Sequence, residues 1–241
     1  MDIDLTEHAR KNGGSQPLRG YLAKPAGDGP WPGVVLIHEA LGMNDVTKRQ
    51  ADRMAAAGYL TLAVDLFSAG GVRRCLVSTM RSLTKGEGRP FADIETGREW
   101  LLASDECTGK IGVIGFCMGG GFALMTAASG FDVSSVNYGF LPKDLDAALS
   151  GACPIVASYG YKDVAQRKIP AKLEIGLTRA GIPHDVKQYP SAGHAFLNDA
   201  EVGPKLLRPL LRVTNMGPEP VAAADAWQRI EAFFAEHLRE S

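Results

Sequence analysis

Residues 115–120 read GFCMGG, a cysteine set between glycines directly after an apolar run. A strand that ends at Phe116 and a helix that starts near Met118 would force a sharp turn at position 117. Glycine on both sides removes Cβ clashes, so the middle residue can hold a strained conformation with its side chain projecting. The free N–H groups and positive dipole end of the following helix then favour a thiolate at that side chain. Cys117 is accordingly the candidate nucleophile. A lone free cysteine is more often a small buried apolar side chain; the glycine-flanked turn reverses that preference here.

A nucleophile of this kind needs a general base, and the base needs an acid to orient it. Of the five histidines, His194 in SAGHAF lies in a glycine-containing loop just after a predicted strand. His8 is in the polar start, His38 precedes the nucleophile, His184 begins a strand and His237 falls in the last helix. Among the acids Asp132, Asp144, Asp146, Asp163 and Asp185, Asp163 fits best because it follows the apolar run IVASYGY at a strand end. Asp144 and Asp146 belong to a polar loop. The chain order Cys117, Asp163, His194, each at the carboxyl end of a predicted strand, is that of enzymes built around a nucleophile elbow. In such a scheme the loop HEALG (38–42) supplies one oxyanion-holding amide and the residue after the nucleophile the other, here Ala40 and Met118. Glu39 then becomes a carboxylate close to the thiol. Adjacent residues rarely converge on one metal and no H-E-x-x-H is present, so His38 and Glu39 do not read as metal ligands. No metal and no organic cofactor are expected.

The elements that must position these residues alternate. RGYLAKP (19–25), GVVLIHE (33–39), LTLAVDL (60–66), KIGVIGF (110–116), VSSVNYG (133–139), PIVASYG (154–160) and HDVKQYP (184–190) read as strands. Residues 44–58, 90–104, 118–129, 166–180 and 221–238 read as helices, the first with an Asn or Asp cap and a glycine stop. In the last, Ala224, Trp227, Ile230, Phe233, Phe234 and Leu238 form a stripe spaced for burial. Residues 68–90, rich in Gly, Arg and Ser, read as a loop with a short helix. The fold class is α/β: one domain over residues 1–241, with a mostly parallel central sheet and helices on both faces. Segment 197–220 is the irregular exception; its LLRPLLRV suggests a lid or pocket wall.

Composition narrows the partners. The chain has 241 residues, 45% of them hydrophobic and 22% charged, as expected of a globular domain. A net charge of −1 offers no field to draw nucleic acid or an anionic membrane. The uncharged stretch 111–131 is long enough to cross a bilayer, yet its glycines and neighbours read as strand, turn and helix. The polar, acidic start MDIDLTEHARKNGG lacks the apolar core of a signal peptide. The four cysteines are dispersed without a C-x-x-C pair, so a reducing, cytoplasmic setting is expected.

GFCMGG together with HEALG, YGYKD, SAGHAF and the terminal AAADAWQRIEAFF resembles the dienelactone hydrolase family of α/β hydrolases, over nearly the whole chain from Arg19 to Leu238. The resemblance implies an α/β-hydrolase fold, a Cys117–Asp163–His194 triad, and hydrolysis of a small-molecule ester or lactone. It also implies that Glu39 holds the resting thiol and takes its proton when substrate enters. Family members that cleave dienelactone hold its carboxylate with arginines. One lies four positions after the histidine, where this chain has Asn198, beside Phe196. Another corresponds to the VRRC region, where Arg74 is the candidate, and the family's aromatic–arginine pair is here Phe67–Ser68. Arg74, Phe67, Asn198 and Phe196 are therefore the substrate-binding candidates, and the lost arginines favour a less polar ester, lactone or thioester. A non-catalytic ligand-binding relative and an acyltransferase are the alternatives, and assembly as a homodimer is left open.

Overall fold

The computed structural model describes residues 1–201 and 215–239, so LLRPLLRV and most of the expected lid segment lie outside the described residues. The strands are β1 (Asp2–Asp4), β2 (Arg19–Ala23), β3 (Trp31–Ile37), β4 (Leu60–Asp65), β5 (Cys107–Phe116), β6 (Val133–Asn137), β7 (Ile155–Gly160) and β8 (His184–Tyr189). They form one sheet in the order β1-β2-β4-β3-β5-β6-β7-β8. From β4 to β8 every pairing is parallel, whereas β2 runs antiparallel to both β1 and β4. The helices are α1 (Thr6–Lys11), α2 (Asp45–Ala56), α3 (Gly71–Lys85), α4 (Arg89–Leu102), α5 (Met118–Met125), α6 (Leu145–Leu149), α7 (Ile169–Ala180) and α8 (Pro220–Leu238). Among the described residues no helix is long and apolar enough to cross a membrane.

Alternation along the buried strands builds two cores. In β3, Val34 and Leu36 face a layer containing Met54, Trp227 and Phe234, while Val35 and Ile37 face one containing Ile94, Leu101 and Phe122. Both faces are covered, which is why the run 33–37 reads as continuously apolar. The order reverses between β3 and β5: the chain moves from β3 to β4 on one side and returns to β5 on the other. Loops leaving the carboxyl ends of β3 and β5 therefore diverge and leave a crevice there.

Several elements depart from the sequence reading. The polar start forms β1 and α1, whose short alternation DID carries too few apolar residues to be seen. Residues 71–85 form a full helix, capped by Gly70 and by Gly86 in the left-handed region (φ 75°). Its apolar row Val72, Leu76, Met80 and Leu83 was masked by the arginines and serines between. In α8 the buried face runs through Ala222, Ala226, Trp227, Ile230, Phe234 and Leu238, so Ala224 is exposed rather than part of the stripe.

The turn from β5 into α5 is packed backbone against backbone. A Cβ on Gly115 would strike the Gly119 carbonyl, one on Gly119 the Ile37 carbonyl, and one on Gly120 the Asn137 carbonyl. These neighbours are backbone and cannot swing aside. Gly119→Ala is expected to cost roughly 3 kcal/mol of stability, the upper end for overpacking a core. A urea-unfolding midpoint equal to that of the unmodified chain would contradict this.

Candidate active site

Cys117 sits between β5 and α5 with φ 53° and ψ −113°, a positive φ that a residue bearing a Cβ rarely adopts. The strain is held by the close-packed glycines and by the Cys117 amide, which donates to the Asn137 carbonyl at 3.0 Å. Its consequence is a side chain standing on the crevice at the positive end of α5.

The ring of His194 comes from the loop after β8. Its Nδ1 lies 2.7 Å from Asp163 Oδ2, in the loop after β7. Burial pushes the imidazole pKa down, but the Asp163 carboxylate and the Cys117 sulfur on the other side of the ring outweigh it, raising it to about 10. Cys117, His194 and Asp163 are thus brought into one line of contact. The loop is fixed from behind: Gly217 donates to the His194 carbonyl at 2.9 Å, Lys162 donates to the Ala192 carbonyl at 2.9 Å, and Ala195 takes φ 60°. Asp132 instead caps Lys110 and Ile111, Asp144 caps α6, Asp146 pairs with Arg179 and Asp185 with Arg229.

Ala40 and Met118 both border the crevice, and among the described residues neither backbone N–H donates to another protein group. The loop carrying Ala40 is pinned by His38, which is fully buried. Leu66 donates its N–H to His38 Nε2 at 3.1 Å, so the ring proton is on Nδ1, which bonds the Glu39 carbonyl at 2.7 Å. His38 is thus a structural tie between two strand ends.

Glu39 is buried, and burial raises its pKa. Tyr138 donates to its Oε1 at 3.4 Å and Asn198 to its Oε2 at 3.3 Å. Among the described residues no hydrogen bond joins Glu39 to Cys117, and the sulfur engages His194.

The four substrate-binding candidates do not line the crevice. Asn198 is buried and spends its amide on Glu39 and on Gln50, 3.0 Å away. Phe196 is fully buried between Tyr138 and Tyr189, at ring separations of 5.8 and 5.1 Å. Phe67 is buried edge-on to His38 at 4.8 Å. Arg74 is exposed on α3. It stands two positions from Leu76, about 200° around the helix, so Leu76 and Met80 face the site and Arg74 faces away. The wall of the cavity, about 750 Å³, includes Leu76, Met80, Phe140, Val164 and Met216, with the exposed Lys162 as a cation. Among the described residues no cluster of His, Cys, Asp and Glu is placed to hold a metal ion.

Two buried residues of the site are absent from the sequence reading. Tyr138 falls inside the predicted strand 133–139, but β6 ends at Asn137 and Tyr138 turns back with φ 41°. That turn puts its ring 5.1 Å from His194 and its hydroxyl on Glu39. Burial holds the hydroxyl pKa far above its usual value, so it stays a neutral donor. Gln166 holds this turn by donating to the Tyr138 carbonyl at 2.9 Å. Neither position carries a sequence signal beyond the NYG that closes the strand.

A mostly parallel sheet with a strained elbow after β5, an acid after β7 and a histidine after β8 defines an α/β hydrolase. The dienelactone hydrolase family model matches residues 18–238. The chain is 28% identical to a carboxymethylenebutenolidase of Rhodococcus opacus over 241 residues, covering 93% of this chain and 88% of that one. It also shares its fold with a dienelactone hydrolase of Anabaena variabilis (TM-score 0.69, 21% identity, 92% and 93% of the two chains). A dienelactone hydrolase-like promiscuous phosphotriesterase from metagenomic libraries superposes with a TM-score of 0.80 at 22% identity, over 99% and 98% of the chains. The chain belongs to the dienelactone hydrolase family and is a hydrolase of that type.

The burial of Glu39 has a thermodynamic sign. Its folded pKa lies above the ordinary 4.5, so the folded state binds the proton more tightly than the unfolded one. Stability therefore falls as pH rises from that ordinary value through the raised folded one, and below it Glu39 contributes nothing. Glu39→Gln keeps the shape and removes the charge. Its melting temperature is expected to exceed that of the unmodified chain at pH 7.5, with the gap closing at pH 4. A variant less stable at pH 7.5 would contradict a burial-raised carboxyl.

Proposed function

We propose that the protein hydrolyses a carboxylic ester or lactone through an acyl-thioester on Cys117, with His194 as base and acid and Asp163 as its orienter. The observation that carries this is the contact line from the strained Cys117, through His194, to Asp163 at 2.7 Å. His194 takes the thiol proton. The sulfur attacks the carbonyl carbon, and the negative oxygen is held by the Ala40 and Met118 amides. Each such donor is worth about 3 kcal/mol in measured cases. The imidazolium gives its proton to the departing alkoxide, leaving the acyl group on sulfur. Water then enters, loses a proton to His194 and attacks the thioester; collapse releases the acid and restores the thiol.

The charge on the imidazolium is matched by Asp163 on one side and by sulfur on the other. Burial of Glu39 raises its pKa and so disfavours a negative charge beside the developing thiolate, while the Tyr138 and Asn198 donors pull the other way by favouring its charged form. The apolar wall of Leu76, Met80, Phe140, Val164 and Met216 supports a substrate of low polarity near the reacting carbon. The names of the family and of the Rhodococcus relative support an ester or lactone as the bond cleaved.

Three substitutions separate the roles. Cys117→Ala is expected to abolish p-nitrophenyl acetate hydrolysis, and His194→Ala to lower kcat/KM by about 10³-fold or more, with circular dichroism unchanged. Asp163→Asn is expected to lower kcat strongly through loss of tautomer control, whereas Asp144→Asn is expected to leave it within a factor of about two. Comparable losses at Asp144 and Asp163, or turnover surviving Cys117→Ala, would overturn the assignment.

A further inference from the structure

Beside the catalytic cavity lies a second, smaller cavity of about 230 Å³, between α3, α5 and the loop that follows β6. Met80 and Phe140 belong to the walls of both. Beyond them the second cavity is lined by Leu83, Thr84, Met125, Leu141 and Pro142, with the exposed Lys143 at its rim. It is thus a mostly apolar groove that adjoins the catalytic cavity, with two side chains between them. Neither of the two is locked: Phe140 is 41% exposed and Met80 is a half-buried, unbranched thioether able to change rotamer. The floor is firm. Gly121 lets Leu83 pack directly on α5, and the Met125 methyl lies against Gly86.

The position of the groove relative to the triad says which half of a substrate it would take. His194 must reach the leaving oxygen to protonate it, so the leaving group lies toward His194 and its bridge partner Met216. His194 follows β8, at the far edge of the sheet, whereas the groove lies between α3, α5 and the loop after β6, nearer the middle of the sheet. The groove is therefore on the side of the acyl group. We infer that the substrate of this enzyme carries an extended apolar acyl chain that passes between Met80 and Phe140 into the groove lined by Leu83, Met125 and Leu141. This rests on the reading of Cys117 as the residue that receives the acyl group, and it deepens that reading by naming the substrate class: esters or thioesters of medium-chain or aryl-alkyl acids.

The test is kcat/KM of the full chain on p-nitrophenyl esters from acetate to decanoate, alongside a series of alkyl acetates from ethyl to octyl. Each methylene that enters the groove is expected to raise kcat/KM about fourfold, the factor for burying one such group, until the groove is full. The alkyl acetates are expected to show no comparable rise. Thr84→Trp and Leu141→Trp each place an indole in the groove outside the catalytic cavity. Each is expected to lower the octanoate-to-acetate ratio at least tenfold, with melting temperature recorded as the folding control. Acetate turnover by the unmodified chain with a flat or falling acyl series would overturn the groove assignment alone. A rise in the alkyl acetate series instead would overturn the acyl orientation. Absence of turnover on every ester would sink the hydrolytic reading and this one with it.

Discussion

The site depends on one close approach of backbone to backbone. β5 ends against α5, and α5 begins against β3, at distances that no Cβ would allow at Gly115 or Gly119. That packing pays for the positive φ of Cys117 and sets the sulfur at the start of α5. It also fixes where the Ile37 strand end lies relative to Met118, and hence where the Ala40 and Met118 amides can meet. The proposed nucleophile and its proposed oxyanion donors are thus positioned by the same contact. His38 completes it from the other side by tying the Glu39 carbonyl to the Leu66 amide at the end of β4.

Around that rigid centre the charges are arranged in a graded way. The sulfur meets an imidazole whose far nitrogen is held by Asp163, so positive charge is favoured on the ring. Glu39 stands behind the same site but is desolvated, and desolvation raises its pKa and disfavours its charged form. Tyr138, Asn198 and Gln50 form a buried chain of donors and acceptors that holds the carboxyl in place. Such buried polar chains are stable when every member is satisfied. The strained φ of Tyr138 follows from the need to bring its hydroxyl back to Glu39.

How much of this was legible depends on whether the signal was local. GFCMGG announces its own turn, because only a glycine-flanked residue can sit where Cys117 sits. The apolar runs of β3 and β5 declare strands covered on both faces, and the Asn44 cap is visible as the residue that accepts from Val46 and Thr47. Asp163 and His194 were legible by chain order and strand ends. The support for Glu39 was not, because Tyr138, Asn198 and Gln50 converge from β6, the loop after His194 and α2, and no sequence spacing links them. Asn198 was therefore read as facing substrate when it faces Glu39. α3 was underestimated because a half-exposed helix carries a thin apolar row, and for the same reason Arg74 was placed on the wrong side of it.

The proposed reaction turns on sulfur as the atom that carries the acyl group. The direct measurement is rapid-quench mass spectrometry of the unmodified protein mixed with p-nitrophenyl butyrate, followed by peptide mapping. The account predicts a butyryl adduct that appears within the first turnover, maps to the peptide containing Cys117, and is released by hydroxylamine at neutral pH as a thioester is. An adduct on any other residue, or steady turnover with the Cys117 thiol left free throughout, would contradict it.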